Sequence, residues 1–450
     1  MPPILALLLC VIFVIFLLWL EHKQCPDVSR ALWLPTIWIL YIASKPLGIW
    51  FPSSGGDPDM GSPLDRAFLI FLIGVALVLL IRKRLNWADV MKQNIWLVIL
   101  IVFMLVSVLW SRIPYISFKR WTRELPALLM AFAVLSEFSP RQAIESILRR
   151  SIYILIPFSI LLIKYFSEYG IEFERWSGKR MWIGVAFQKN GLARLCIISA
   201  FFLIWSLVGR RQRKKPPVWK YETKTELLIL VITLWLLGGP GHNVFYSATS
   251  FYALCLGLLF YWGLNLTKKH GLLLKELPLM IIGGAIILFG IIVIFTGGAN
   301  LGSAASAASR DATLTGRTEV WASLLPVAMK HPLLGVGFGG FWTSATREYF
   351  RISGAHNGYL DVILELGFVG IFLLAMFFLS SCKKAAHELS HEFDWGVLWI
   401  CYIIMCLVHN IGESSINAPS SQLTAIIIFL TVSSTKRASH REEYSEVEPS

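Results

Sequence analysis

Charge is what this chain has least of. Only 15% of its 450 residues are Asp, Glu, Lys or Arg, against 56% hydrophobic, and the mean hydropathy is +0.64. No single core hides that much apolar surface, so a water-soluble globule is excluded and lipid has to do the solvating. Cysteine chemistry is also missing. Cys10, Cys25, Cys196, Cys255, Cys382, Cys401 and Cys406 show no metal-like or redox spacing, and most stand in apolar runs as small buried hydrophobes. The first apolar run, 4–20, has no basic start and no small-residue cleavage site before Glu21-His22-Lys23-Gln24, so it reads as a retained anchor and not as a removable signal peptide. There is no internal repeat, and no acidic cluster of metal-binding character on the outer loops beyond the pair Asp57 and Asp59.

What is present is a succession of apolar runs. A bilayer span needs about 20 mostly apolar residues, because every backbone polar group must be satisfied inside the segment. After 4–20, runs follow at 31–50, 67–81, 95–110, 124–136, 151–166, 192–208, 225–237, 244–264, 277–295, 359–381, 395–409 and 422–432. Their length and continuity predict helices and exclude the two-residue alternation of a membrane barrel. The expected fold is an all-α polytopic integral membrane protein with about 12–14 spans. About ten of them fall in 1–296, a large loop occupies 297–358, further spans lie in 359–433, and the polar tail 434–450 is expected to be disordered.

Basic residues orient the chain. With Arg82-Lys83-Arg84 inside, alternation also puts Arg149-Arg150, the run from Arg210 to Lys215, Lys268-Lys269, Lys383-Lys384 and the tail inside, together more than half of the 41 basic residues. The loop after 295 then lies outside. Its first part, 297–309, is rich in Gly, Ala and Ser. Its second predicts a helix from Thr318 to Met329, stopped by His331-Pro332 and followed by tight turns at Gly335, Gly337, Gly339 and Gly340.

Basic residues on the outer face run against the positive-inside tendency, and here they cluster with aromatics. Trp110-Ser111-Arg112 with Lys119-Arg120-Trp121-Thr122-Arg123 is one group; Arg175-Trp176, Lys179 to Trp182 and Lys189-Asn190 form a second; Arg310, Arg317, Lys330, Arg347 and Arg351 form a third. A guanidinium suits phosphate, since its planar fork donates two hydrogen bonds and keeps its charge. Any one of these residues can equally anchor a helix end at the interface. Farther along, Gly354-Ala355-His356-Asn357-Gly358-Tyr359 enters an apolar run. A helix beginning near Ala355 would place His356, Tyr359, Ile363, Gly367 and Gly370 on one stripe, with the imidazole at the outer mouth. Histidine titrates near neutrality and can accept a proton from an attacking hydroxyl.

Two blocks of this pattern resemble the O-antigen ligase and polysaccharide polymerase superfamily. One is Leu314-Thr315-Gly316-Arg317-Thr318 through Trp321, then His331-Pro332-Leu333-Leu334-Gly335-Val336-Gly337; the other is His356-Asn357 with Gly367-Phe368-Val369-Gly370. Weaker similarities cover Trp110-Ser111 with Arg120 to Arg123, Gln188-Lys189-Asn190-Gly191 as a turn before a later helix, and Glu413-Ser414 near the outer face. One feature departs: where many members carry Arg or Lys beside Ser or Thr, this chain reads Tyr246-Ser247-Ala248-Thr249-Ser250.

The resemblance implies a GT-C-like, metal-independent, inverting glycosyltransferase without a cofactor. It would sit in a bacterial inner membrane with its site on the periplasmic face. The implied donor is an undecaprenyl-diphosphate-linked oligosaccharide, and the acceptor a glycan or lipid A-core. A chain-length regulator or other polysaccharide assembly proteins are implied partners, and nucleic acid is not. Arg317 would balance the leaving diphosphate and His356 would act as base. Arg120, Arg123, Lys189, Asn190, Arg194, Arg310, Asn357, Tyr359 and Glu413 are the expected substrate-binding residues, with Lys189, Arg194 and Arg123 as substitutes for the missing cation. A polymerase is favoured over a ligase. Transport is the rival of another class, for which Lys45, Lys164 and Arg194 are the candidate bilayer charges; paired, interrupted spans of transporter type are absent from the sequence.

Overall fold

The computed structural model describes residues 1–51, 61–83, 85–174, 178–212, 219–241, 247–269 and 317–435. α1 (Pro3–Gln24) leads through α2 (Trp33–Ala43) and the single turn α3 (Leu47–Trp50) to α4 (Pro63–Ile81). There follow α5 (Trp87–Gln93), α6 (Ile95–Val106), α7 (Pro114–Thr122), α8 (Leu125–Leu135), α9 (Pro140–Tyr165) and the turn α10 (Ser167–Gly170). A short hairpin of β1 (Ile171–Phe173) and β2 (Arg180–Trp182) pairs antiparallel, Ile171 opposite Trp182. α11 (Lys189–Gln212), α12 (Glu222–Gly238) and α13 (Ala248–Lys269) precede the last group, α14 (Arg317–Ala328), α15 (Ser344–Phe350), α16 (Gly358–His391), α17 (Phe393–Gly412) and α18 (Gln422–Ser433).

The protein is an all-α polytopic membrane protein, as expected. Among the described residues seven helices are long and apolar enough to cross a bilayer: α1, α4, α9, α11, α13, α16 and α17. An eighth span arises if α5 and the run Ile95–Trp110, bent by 87° at their junction, count as one. The expected runs at 31–50, 124–136, 225–237 and 422–432 form helices shorter than 18 residues. α2 and α8 have 11 residues each and α18 has 12, a rise of roughly 16–18 Å that leaves them too short to cross alone. All twelve residues of α18 are buried in the bundle, so its hydrophobicity serves a protein core. The run at 277–295, the stretch 297–316 with Arg310, Arg175, Trp176, Asp57, Asp59 and the tail 436–450 lie outside the described residues.

α17 sits in the middle, packed chiefly against α13 and α16, with α11 and α18 beside it. The outer helices show the opposite pattern. α1 turns Ile4, Leu8, Ile12 and Ile15 outward, and α4 turns out Ile70, Phe71 and Ile81, as lipid-facing surfaces do.

The two glycine-containing blocks of the sequence form one device. α16 is broken at Gly367, whose φ of +64° is open to glycine and closed to most other residues. The break leaves backbone groups without helical partners, and the segment 332–337 supplies them. Phe368 N–H donates to the Pro332 carbonyl at 2.8 Å and Val369 N–H to that of Leu333 at 3.1 Å. In return, the carbonyls of Leu364 and Glu365 accept from Val336 at 3.1 Å and Gly337 at 2.9 Å. Non-helical backbone inside a bundle is tolerated only when satisfied in this way. The loop is pinned further by Arg120, which donates to the carbonyls of Gly339 and Trp342, and by Trp342, whose Nε1 donates to Asp361 at 2.7 Å. Leu324, Ala328, Phe341, Trp342, Ala355, Leu360 and Leu364 form a small second core under this cap.

Candidate functional site

The site begins where α17 stops. Asn410, fully buried, receives the backbone N–H groups of Ser415 and Ile416 on Oδ1, both at 2.8 Å, and its Nδ2 donates to the Cys406 carbonyl at 2.7 Å. This clasp turns the chain sharply after Gly412 and aims Glu413 into the bundle, where it is 2% exposed. A buried carboxylate is costly unless it is paired and hydrogen-bonded. Glu413 Oε1 accepts from Arg317 Nη2 at 2.8 Å and from Asn190 Nδ2 at 2.6 Å, while Oε2 lies 3.9 Å from His356 Nδ1. Burial alone would push this carboxyl up; His356 and the Arg317 guanidinium outweigh it and hold the group at about 2, so it is an anion at neutral pH.

Each partner arrives from a different element. Arg317 is the first residue of α14, and its Nη1 also reaches Thr249 Oγ1, near the start of α13, at 3.4 Å. Gly412 makes this approach possible, since a Cβ there would stand 2.6 Å from both Arg317 Nη1 and Thr249 Oγ1. Asn190 is the second residue of α11.

His356 does not lie on a helix, contrary to the stripe expected from the sequence. α16 starts at Gly358, and Asn357 is its cap: Asn357 Oδ1 accepts the N–H groups of Tyr359 and Leu360. A cap residue needs extended backbone, so the helix cannot reach back through 356. His356 instead takes φ +50°, one of two non-glycine residues with positive φ among those described. Such strain at a polar cleft is a mark of functional positions. Its side chain is 31% exposed, which leaves room for an incoming group.

The expected substrate-binding residues therefore divide. Arg317, His356, Glu413 and Asn190 converge. Arg194, one turn along α11 from Asn190, donates to Ser421 Oγ at 3.0 Å, and the Glu413 charge acts on it. Arg120 holds the loop, Asn357 caps α16, and Tyr359 donates its hydroxyl to the Leu407 carbonyl at 2.8 Å. Lys189 lies in the first turn of α11, where a turn before the helix was expected. Arg123 is exposed after α7, and neither is hydrogen-bonded to the Glu413 cluster. Among the described residues no group of three or more His, Cys, Asp or Glu is arranged to hold a metal ion.

Sequence reasoning passed over His409. It is fully buried on α17, one turn before Glu413, with Arg194, Glu413 and Arg317 as the charges acting on it, and neither ring nitrogen has a hydrogen-bond partner among the described residues. Arg194 Nε is likewise unbonded. Each buried polar group left this way costs about 1–3 kcal/mol. A histidine inside an apolar run, four residues from a carboxylate, was the available signal.

Residues 241–375 match a family described as O-antigen ligase, a range that includes Arg317 and His356. Over 293 residues the chain is 23% identical to the exopolysaccharide production protein ExoQ of Rhizobium meliloti (strain 1021). That similarity covers 63% of each chain, so the chain spans less than two thirds of the length of the curated relative it matches.

Proposed function

We propose that this chain is a metal-independent, inverting glycosyltransferase of the O-antigen ligase and polysaccharide polymerase superfamily. It moves a glycan from a polyprenyl diphosphate carrier, of undecaprenyl type, onto an acceptor hydroxyl at the periplasmic face of a bacterial inner membrane. The convergence of Arg317, His356 and Asn190 on the buried carboxylate of Glu413 is the observation that carries this reading.

The chemistry follows from the atoms. With Nδ1 turned toward Glu413, His356 keeps Nε2 free as the basic nitrogen, as carboxylate-oriented imidazoles do. The acceptor O–H bond breaks, its proton passing to Nε2 while the oxygen attacks the anomeric carbon. On the opposite face of the sugar the bond from carbon to diphosphate oxygen breaks, and its electron pair leaves with the diphosphate. Arg317 lies where that growing negative charge needs a fixed, always-charged donor. Glu413 keeps the guanidinium and the imidazole in register before substrate arrives, which is the preorganisation such electrostatic catalysis requires.

Polymerisation, in which the acceptor is another lipid-linked repeat, is the favoured reaction, and the relative's description as an exopolysaccharide production protein supports it. The ligase reading, with lipid A-core or protein as acceptor, draws on the family description. Proteoliposomes loaded with lipid-diphosphate oligosaccharide test both. His356→Ala and Arg317→Ala are each expected to abolish transfer while the protein inserts and melts normally; normal transfer by both would end the enzyme reading. A ladder of lengths on the lipid carrier identifies a polymerase, and label moving only to lipid A-core identifies a ligase.

A further inference from the structure

Trp321 stands one turn after Arg317 on α14, so the two side chains leave the same face of that helix. Its indole Nε1 donates to the backbone carbonyl of Ala355 at 2.9 Å. Ala355 is completely buried in the small core under the cap, and it immediately precedes His356. The carbonyl held by Trp321 belongs to the planar peptide unit whose nitrogen is that of His356, so holding it fixes the plane from which the His356 φ is turned. On the other side of the histidine, Gly358 N–H donates to the Glu413 carbonyl at 3.1 Å, and Asn357 Oδ1 is committed to the first turn of α16. A left-handed φ at a non-glycine residue persists only where its surroundings impose it. The φ of +50° at His356 lies between these two ties.

Together the contacts close a ring. The Glu413 carboxylate holds Arg317, Arg317 and Trp321 share α14, Trp321 holds residue 355, and residue 358 returns to the Glu413 backbone. Arg317 and His356 are the two members of this ring that act on substrate in the transferase reading, on which the inference rests. We propose that Trp321 is a positioning residue for glycan transfer: its indole N–H ties the helix that carries Arg317 to the backbone that carries His356, and so sets the base relative to the cation. A displacement of about 1 Å in such a pair is enough to slow a reaction by about 10²-fold.

Two variants separate the N–H from the bulk of the ring. Trp321→Phe keeps an aromatic ring and removes the donor. Trp321→His does the reverse, because imidazole Nε2 occupies the ring position that Nε1 holds in an indole. In proteoliposomes loaded with lipid-diphosphate oligosaccharide, Trp321→Phe is expected to lower kcat per folded molecule by about 10- to 100-fold, with KM for the donor within about twofold of the wild type. Trp321→His is expected to transfer within about threefold of the wild type although it melts lower. A packing role would give the opposite order, since Trp321→His loses more buried apolar surface than Trp321→Phe. In the His356→Ala background, Trp321→Phe should slow the residual transfer by less than about twofold, because a residue acting through His356 then has nothing to position. A wild-type kcat in Trp321→Phe, a Trp321→His enzyme slower than Trp321→Phe, or full additivity with His356→Ala overturns the proposal. Normal transfer by His356→Ala would instead remove the base assignment itself, whereas a slow His356→Ala beside a normal Trp321→Phe ends this inference alone and leaves the transferase reading standing.

Discussion

Two clusters of buried charge stand near opposite ends of α11, roughly 30 Å apart, and they are built differently. Near its end, Arg210 shares Glu222 and Glu226 of α12, Arg149 of α9 also takes Glu226, and Arg150 of α9 takes Glu21 of α1 at 2.9 Å. Three guanidiniums there meet three carboxylates, and Gln24 and Ser146 add hydrogen bonds to them. Near its start, Arg317, Arg194, His356, His409 and Asn190 gather around Glu413. In the first cluster each arginine already has a carboxylate, and the pairs lock four helices together. The second holds more donors than its shared carboxylate can receive. The first cluster is balanced in charge; the second gathers cations and donors around one carboxylate.

That contrast can be broken in a graded series. The largest effect is expected at the donor-rich end: His356→Ala should slow transfer by about 10²- to 10⁴-fold, the usual worth of a general base, with unfolding in detergent unchanged. The balanced end should respond in the opposite sense. Glu226→Ala strands the buried Arg149, leaves Arg210 with Glu222 alone, and is expected to cost about 3–5 kcal/mol of stability. Chemical denaturation measures the loss, while transfer per folded molecule stays near the wild-type rate. A fall in specific activity as large as that of His356→Ala would erase the distinction.

Smaller effects sharpen it. The Glu413 carboxyl is held at about 2, below its ordinary 4.5. Its contribution to stability is therefore complete above pH 4.5 and is lost as the pH falls through about 2. Melting temperatures taken from pH 6 downward should show this loss in the wild type, and Glu413→Gln should lack that part of the acid limb. The smallest change is expected from Asn357→Ala, which removes a helix cap worth about 1 kcal/mol. Its melting temperature should drop by a few degrees, and transfer should fall further than the stability loss explains, because the cap also fixes the backbone that carries His356.

Much of this molecule is legible in its sequence. Hydropathy alone points to a helical membrane protein, and the resemblance carried by Leu314 to Trp321, His356-Asn357, Gln188 to Gly191 and Glu413-Ser414 brings out Arg317, His356, Asn190 and Glu413, all of which meet. What escapes is what depends on backbone geometry or on which way a side chain turns. Gly367 reads as a small residue for close helix contact, yet it is a break, since a φ of +64° leaves no trace in composition. Arg120 and Tyr359 carry the chemistry of ligand-binding residues but spend it on backbone carbonyls. His409 is hidden by its neighbours, Val408 and Leu407, within an apolar run. The lengths of α2, α8 and α18 are also hidden, because an apolar stretch reads the same whether lipid or protein surrounds it.

The break in α16 also bears on how the protein is made. Residues 332–337 and 364–369 complete each other's backbone bonding, and neither has that partner until the other has emerged from the ribosome. The corner of the bundle that carries His356, between these two stretches in the chain, therefore closes late in synthesis, after the earlier helices have been made. A nascent chain arrested before Gly367 would lack the backbone partners that 332–337 find in 364–369, so the corner that carries His356 would still be open.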